Sequence, residues 1–129
     1  MYLNTNYFLR LLIDDQSDLH KEAEEFFSAA ALQKQRYMIT TLVVFEAYWV
    51  FKRVYRQEKS QLISLVDVIV KMDFIDFPDR HVLRKALVRF SQSSLDFEDC
   101  YYFELAIMSG CEKIATFDKK LAIAFAKRG

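Results

Sequence analysis

Apolar residues recur at helical spacing through most of this chain, and short β-branched or aromatic runs break that spacing at four places. Met1 to Leu3 reads as a brief strand that runs into the turn residues Asn4-Thr5-Asn6. Tyr7 to Ile13 follows as a short helix, with Phe8, Leu9, Leu11 and Leu12 giving it an apolar side. Ser17 or Asp18 can cap a second helix through about Leu32, whose early glutamates suit the positive end of a helix dipole. Tyr37 to Thr40 is a strand candidate, and Thr40 or Thr41 then opens a helix to about Tyr55. Ser60 to Lys71 repeats apolar positions at Leu62, Ile63, Leu65, Val66, Ile69 and Val70, a helical period. Met72 to Phe77 reads as a strand stopped by Pro78, and Asp79 to Phe90 as an amphipathic helix with a basic face. Ser93 or Ser94 leads into a helix that Gly110 is placed to end. Ile114 to Phe117 is the last strand candidate, with Asp118 opening a final helix. Four short strands separated by helices predict an α/β fold with a parallel sheet covered on both faces.

Composition narrows this further. A chain of 129 residues suffices for one domain, here residues 1–129, and is too short for two ordinary ones. With 53% hydrophobic and 28% charged residues it belongs among globular chains rather than disordered ones. Net charge is zero, so no overall attraction for nucleic acid exists, but the charges are segregated. Arg80, Arg84, Lys85 and Arg89 form an acid-free basic stretch, and Lys52, Arg53, Arg56 and Lys59 face only Glu58. These read either as solvated helix faces or as phosphate-contacting patches. Cys100 and Cys111 fit neither a CxxC motif nor a disulfide framework, so two buried free thiols are expected. No secretory leader pattern and no apolar stretch of about 18 residues is found, which predicts a cytoplasmic protein with no membrane partner.

The chemistry concentrates in acids at awkward positions. Glu46 interrupts the apolar run Leu42 to Phe51, and its neighbours three and four residues away are Leu42, Val43, Trp49 and Val50. A carboxylate there costs several kcal/mol unless it is bonded, protonated or bound to a cation. Asp96 and Asp99 begin a helix on one face, and Asp118 ends the run Ile114 to Phe117. Plainer roles exist: a basic or backbone partner for Glu46, capping for Asp118, dipole complementarity for Asp96 and Asp99. Taken together, carboxylates carried to the carboxyl ends of parallel strands suggest a divalent cation site. Other site types are excluded or weak. With Gly110 and Gly129 alone, no glycine-rich phosphate loop can form. His20 and His81 lack ligand spacing and read as surface residues, and Phe45, Tyr48, Trp49 and Phe51 read as core.

Four motifs in order resemble those of PIN-domain ribonucleases, most closely the small single-domain toxins of VapBC-type toxin–antitoxin pairs. They are Asn4-Thr5-Asn6-Tyr7-Phe8-Leu9-Arg10, Thr41-Leu42-Val43-Val44-Phe45-Glu46, Asp96-Phe97-Glu98-Asp99-Cys100 and Ala115-Thr116-Phe117-Asp118-Lys119-Lys120-Leu121. The resemblance implies a three-layer α/β/α sandwich with a short, mostly parallel sheet of four to five strands. It implies an endoribonuclease using Mg²⁺ or Mn²⁺, with Asn4, Glu46, Asp99 and Asp118 at the metal and Asp96 as an auxiliary acid. Thr5 and Asn6 would orient the first motif. Implied partners are RNA, an antitoxin protein and a second copy of the chain in a homodimer. Asn4 departs from the family pattern, which has Asp there; it keeps one oxygen and loses a full charge, a loss of roughly 1–3 kcal/mol in cation binding. That departure points to attenuated activity, and it makes a catalytically silent RNA- or protein-binding module the alternative reading.

Overall fold

The computed structural model describes residues 1–13, 17–33 and 36–128. These divide into two compact units, Met1–Asp79 and Arg80–Gly129.

In the first unit, four helices accompany a short parallel ladder: α1 (Thr5–Leu12), α2 (Asp18–Leu32), β1 (Tyr37–Met38), α3 (Thr41–Arg53), α4 (Lys59–Val70) and β2 (Ile75–Asp76). β1 and β2 pair in parallel, Tyr37 opposite Ile75 and Met38 opposite Asp76, and Tyr2 adds a parallel bridge to Met38. The bonds are regular: Met38 N–H to the Met1 carbonyl and Leu3 N–H to the Met38 carbonyl, each 2.8 Å, then Ile39 N–H to the Asp76 carbonyl at 3.1 Å. Three chain segments thus run side by side and end at one level. The strands are shorter than the sequence predicts, because Met72 to Phe74 turn back locally, with Ile75 N–H bonded to the Met72 carbonyl.

α1 packs on α2 and α3, and α3 on α4. The core is aromatic where the helices meet: Phe8 stacks at 5.2 Å on Phe27, and Phe26 lies 5.3 Å from Tyr37. Ala23 and Ala30 let α2 approach closely, while Val44, Ala47 and Tyr48 present the inner face of α3. Ser17 caps α2 as the sequence predicts, accepting the His20 N–H at 3.1 Å. His20 corrects the surface expectation. It is buried, with Nδ1 2.7 Å from the Arg10 carbonyl and Nε2 2.8 Å from Glu24, so it ties the end of α1 to α2. His81 is exposed, as expected.

The second unit holds α5 (Arg80–Gln92), α6 (Phe97–Met108) and α7 (Lys119–Ala126). α5 lies against α6, with Phe90 and Phe97 rings 5.6 Å apart, and Phe103 meets Phe125 at 5.0 Å. α6 ends in a full Schellman motif. Gly110 sits at φ 71, its N–H donates to the Ile107 carbonyl at 3.0 Å, and the Cys111 N–H donates to the Ala106 carbonyl at 2.9 Å. Arg89 pairs with Glu104 in this unit, Nε to Oε1 2.7 Å, and the Arg89 guanidinium lies 3.6 Å from the centre of the Phe103 ring. Glu104 is buried, so Arg89 offsets a charge that would be costly alone.

Ile114 to Phe117 forms no strand. Ladder formation competes here with local bonding: the Asp118 N–H donates to Thr116 Oγ1 at 3.0 Å, and Arg128 holds the Cys111 and Glu112 carbonyls at 3.1 and 3.0 Å. Among the described residues the sheet therefore has two strands and one bridge, where four to five strands are expected from the sequence. The thiols also differ from expectation. Cys100 is buried and free, whereas Cys111 follows the Schellman turn and is exposed.

A Cβ at Gly110 would meet no atom within 4 Å, so its cost is conformational alone. Gly110→Ala is expected to lower unfolding stability by about 1 kcal/mol through the positive φ. Chemical denaturation measures it, and a neutral result would mean that α6 ends without needing the left-handed residue.

Candidate functional site

The parallel ladder of the first unit brings two helix starts to its carboxyl edge. Asn4 caps α1 and Thr40 occupies the cap position of α3, one residue past the paired segments in each case. Asn4 Oδ1 accepts the Asn6 N–H at 3.2 Å. Thr5, buried behind it, donates from Oγ1 to Glu46 Oε2 at 2.7 Å. Glu46 reaches this bond from the second turn of α3 and is only half-buried, so its apolar neighbours in sequence do not seal it off. The partner that satisfies it is a hydroxyl, and neither Glu46 nor Asp99 takes a Lys or Arg in an ion pair among the described residues.

Sequence reasoning missed one acid at the same edge. Asp79 stands just beyond β2 and Pro78, and its Oδ2 accepts the Thr41 hydroxyl at 2.6 Å. It was expected to open a helix, and α5 does begin at the next residue, Arg80. Its position directly after a strand end was the available signal, since that is where parallel sheets present ligand groups. Asp76, within β2, is bound bidentately by Arg36.

The second unit carries the other three acids. Asp96 stands at the cap position of α6 without making a side-chain cap bond and is exposed. Asp99 lies in the first turn and is half-buried. Asp118 caps α7, its Oδ1 accepting the Leu121 N–H at 3.1 Å, so the plainer reading of this residue holds as a description of its contacts. Burial pushes the Asp99 pKa above its ordinary value of 3.8, and the charges of Asp118, Asp96 and Glu98 push it the same way, against a smaller lowering by Lys120. Burial first, and the neighbouring charges after it, thus make the ionised form of Asp99 costly.

The acids of the second unit offer carboxylate oxygen, which suits a hard divalent cation, and the cost of ionised Asp99 is what such a cation relieves. A closed ligand shell is not preformed: no group of three or more His, Cys, Asp or Glu side chains able to hold a metal ion occurs among the described residues. Nor is any helix among them long and apolar enough to cross a membrane.

Residues 1–126 match the sequence model of the PIN domain. This chain belongs to the PIN domain family. A PIN-like α/β fold follows, with the sheet as short as described above. Among solved structures, it is similar to the sarcin-ricin loop cleaving toxin VapC20 of Mycobacterium tuberculosis, at 16% identity over 95% of this chain and 93% of that one, with a TM-score of 0.46. No curated protein matches the sequence.

The raised Asp99 pKa sets a pH dependence for this PIN domain. A group whose pKa rises on folding contributes stability that is fully present below its unfolded value and is lost as pH climbs through the folded value. Asp99 therefore costs stability from about pH 3.8 upward. Asp99→Asn removes that cost, so at neutral pH the variant is expected to melt no lower than the parent, with a flatter dependence of Tm on pH above 4. A clear drop in Tm at neutral pH would show instead that the ionised Asp99 stabilises the fold.

Proposed function

We propose that this single PIN-like domain is a Mg²⁺- or Mn²⁺-dependent endoribonuclease whose activity is held down by Asn4. The observation that carries this reading is the match of residues 1–126 to the PIN domain, and Asp99 fits it as a half-buried carboxylate with no Lys or Arg ion-pair partner among the described residues. Asp99 and Asp118 would hold the cation, with Glu46 and position 4 as further oxygen donors and Asp96 as an auxiliary acid. When bound, the ion supplies activated water and neutralises charge on the scissile phosphate.

This chain's own residues do the rest. Thr5 holds one Glu46 oxygen in a fixed direction and leaves the other for a ligand. Asn4 spends its side-chain oxygen on the first turn of α1 and brings no charge. An Asp at that position would make the same cap, since Asn and Asp cap about equally well, and would add the missing charge. The reading extends to a toxin role in the cytoplasm, with a homodimer and an antitoxin as partners, on the strength of the motif resemblance within this family. A second reading, a catalytically silent module that binds RNA or protein, is favoured by Asn4, which brings no charge and whose oxygen already accepts the Asn6 N–H.

The deciding experiment is Mn²⁺-dependent cleavage of a mixed RNA pool by this chain, by Asn4→Asp, and by Asn4→Asp with Asp99→Asn. Restoring the charge is expected to raise the rate roughly 5- to 150-fold, the equivalent of 1–3 kcal/mol, with Tm unchanged in the absence of metal. The double variant should lose that gain. Mn²⁺ should also raise the Tm of Asn4→Asp and not of the double variant. Failure of both the cleavage and the Tm response would leave the silent binding module as the better account.

A further inference from the structure

A groove of about 580 Å³ opens between α5 and α6 in the second unit, lined on the α5 side by His81, Arg84, Lys85, Val88, Arg89 and Gln92. These positions are separated by three, four, seven, eight and eleven residues from the first, so they form one continuous face of the helix. The opposite face is the buried one, with Val82, Leu83, Ala86, Leu87 and Phe90. α5 carries no acid at all. The one carboxylate in the groove, Glu104, is buried and bonded to Arg89, which leaves the groove a net cationic surface in a chain whose net charge is zero.

Arg89 gives this surface its geometry. Its guanidinium carbon lies over the Phe103 ring, 3.6 Å from the centre, and its Nε is committed to Glu104 at 2.7 Å. An arginine fixed in this way offers its terminal amino groups as a planar fork without first losing side-chain freedom, the arrangement that matches phosphate oxygens. Arg84 and Lys85 are exposed beside it, one turn toward the start of α5. The exposed Val88 adds an apolar patch between the cations, and His81 and Gln92 put groups able to bond base edges at either end. Cations interleaved with apolar and amide groups suit a nucleic acid strand, whose phosphates and bases alternate, better than a run of carboxylates.

We propose that the α5–α6 groove is a binding site for the phosphodiester backbone of single-stranded RNA, separate from Asp99, with Arg84, Lys85 and Arg89 as its anion contacts. It rests on the reading of this chain as an RNA-directed PIN domain and adds where on the chain the strand is gripped. Separation from Asp99 follows from helix geometry: Asp99 and Glu104 are five residues apart on α6, about 7.5 Å along the axis and roughly 140° around it. The groove therefore holds part of the strand away from the scissile bond, and its loss weakens binding rather than chemistry.

The test is binding of a fluorescent RNA oligonucleotide by anisotropy, in EDTA so that no strand is cut, across a series of KCl concentrations. The comparison is between the chain and Arg84→Ala with Lys85→Ala, two exposed positions whose replacement circular dichroism melting can show to be harmless to the fold. The double variant is expected to bind at least tenfold more weakly, with the slope of log affinity against log salt flatter by roughly 1.4, the loss of two single-strand phosphate contacts. Arg89→Lys keeps the charge and loses the fork, so it should weaken binding severalfold while changing the slope little. Unchanged affinity and slope in the double variant, or no RNA binding by the parent chain, would overturn the proposal. So would displacement of the RNA by inorganic phosphate at equal phosphate concentration, which would make this a free-anion pocket. Tighter binding of polyglutamate than of RNA would reassign the groove to an acidic polypeptide. The two readings fail separately: if Asn4→Asp cuts no RNA while the groove variant loses RNA affinity, the nuclease assignment falls and the groove stands. Cleavage with binding indifferent to the groove sinks the groove alone.

Discussion

Everything at the carboxyl edge of the first unit depends on a parallel ladder only a few bonds wide. Leu3 to Met38 and Ile39 to Asp76 fix three chain segments in one register, so Asn4, Thr40 and Pro78 are reached at the same level. Each segment then turns at a residue that can start a helix or a loop, and the side chains just past those turns find one another: Thr5 with Glu46, Thr41 with Asp79. A shift of one residue in this register would send Leu3 and Ile39 to the opposite face and carry the hydroxyls with them. Burial of Leu3, Ile39 and Ile75 opposes such a shift. Hydrophobic burial thereby sets the position of polar groups that contribute little to stability themselves.

Much of this was legible in the sequence because the signals were local. Ser17 capping α2, the helical repeat of α4 and Gly110 closing α6 each follow from residues within a turn of one another. So does Asp118 as the cap of α7. What the sequence did not show was decided by contacts between residues far apart. His20 has no ligand spacing and still becomes buried, because a carbonyl on α1 and a carboxylate on α2 meet its two ring nitrogens. Asp79 read only as the start of a helix, and nothing local showed that the Thr41 hydroxyl, 38 positions away, would meet its Oδ2. Ile114 to Phe117 has strand composition, but composition supplies no partner; Thr116 and Arg128 bind the backbone nearby and the ladder does not form there.

The candidate site was half legible for the same reason. Its residue types and order pointed to Glu46, Asp99 and Asp118, and the contacts then sorted their circumstances. Glu46 was expected to be the costly one, buried among Val43, Trp49 and Val50, yet it is half-buried and satisfied by Thr5. The strain sits on Asp99, where burial adds to the charges of Asp118 and Asp96. A helix start favours one carboxylate, because the dipole contributes at most about 1 kcal/mol at an exposed position, and the gain does not grow as more acids are added while their mutual repulsion does.

That contrast bears on why the two basic stretches, so alike in sequence, differ in the structure. On α3, Lys52 lies over the Tyr48 ring and Arg53 over Trp49, each close to 6 Å from the ring centre, so their charges run along their own helix and cover aromatic surface. On α5 the face is concave against α6, and one of its cations is locked in place by Phe103 and Glu104. A charge fixed on a convex, solvated face is screened from every side, and its attraction falls off within a Debye length of about 8 Å. In a groove with a low-dielectric wall the same charge acts at shorter range on a partner that is itself partly desolvated, and its effect is larger. Sequence composition counts both stretches equally; the packing of α5 on α6 is what separates a solvated helix face from a groove.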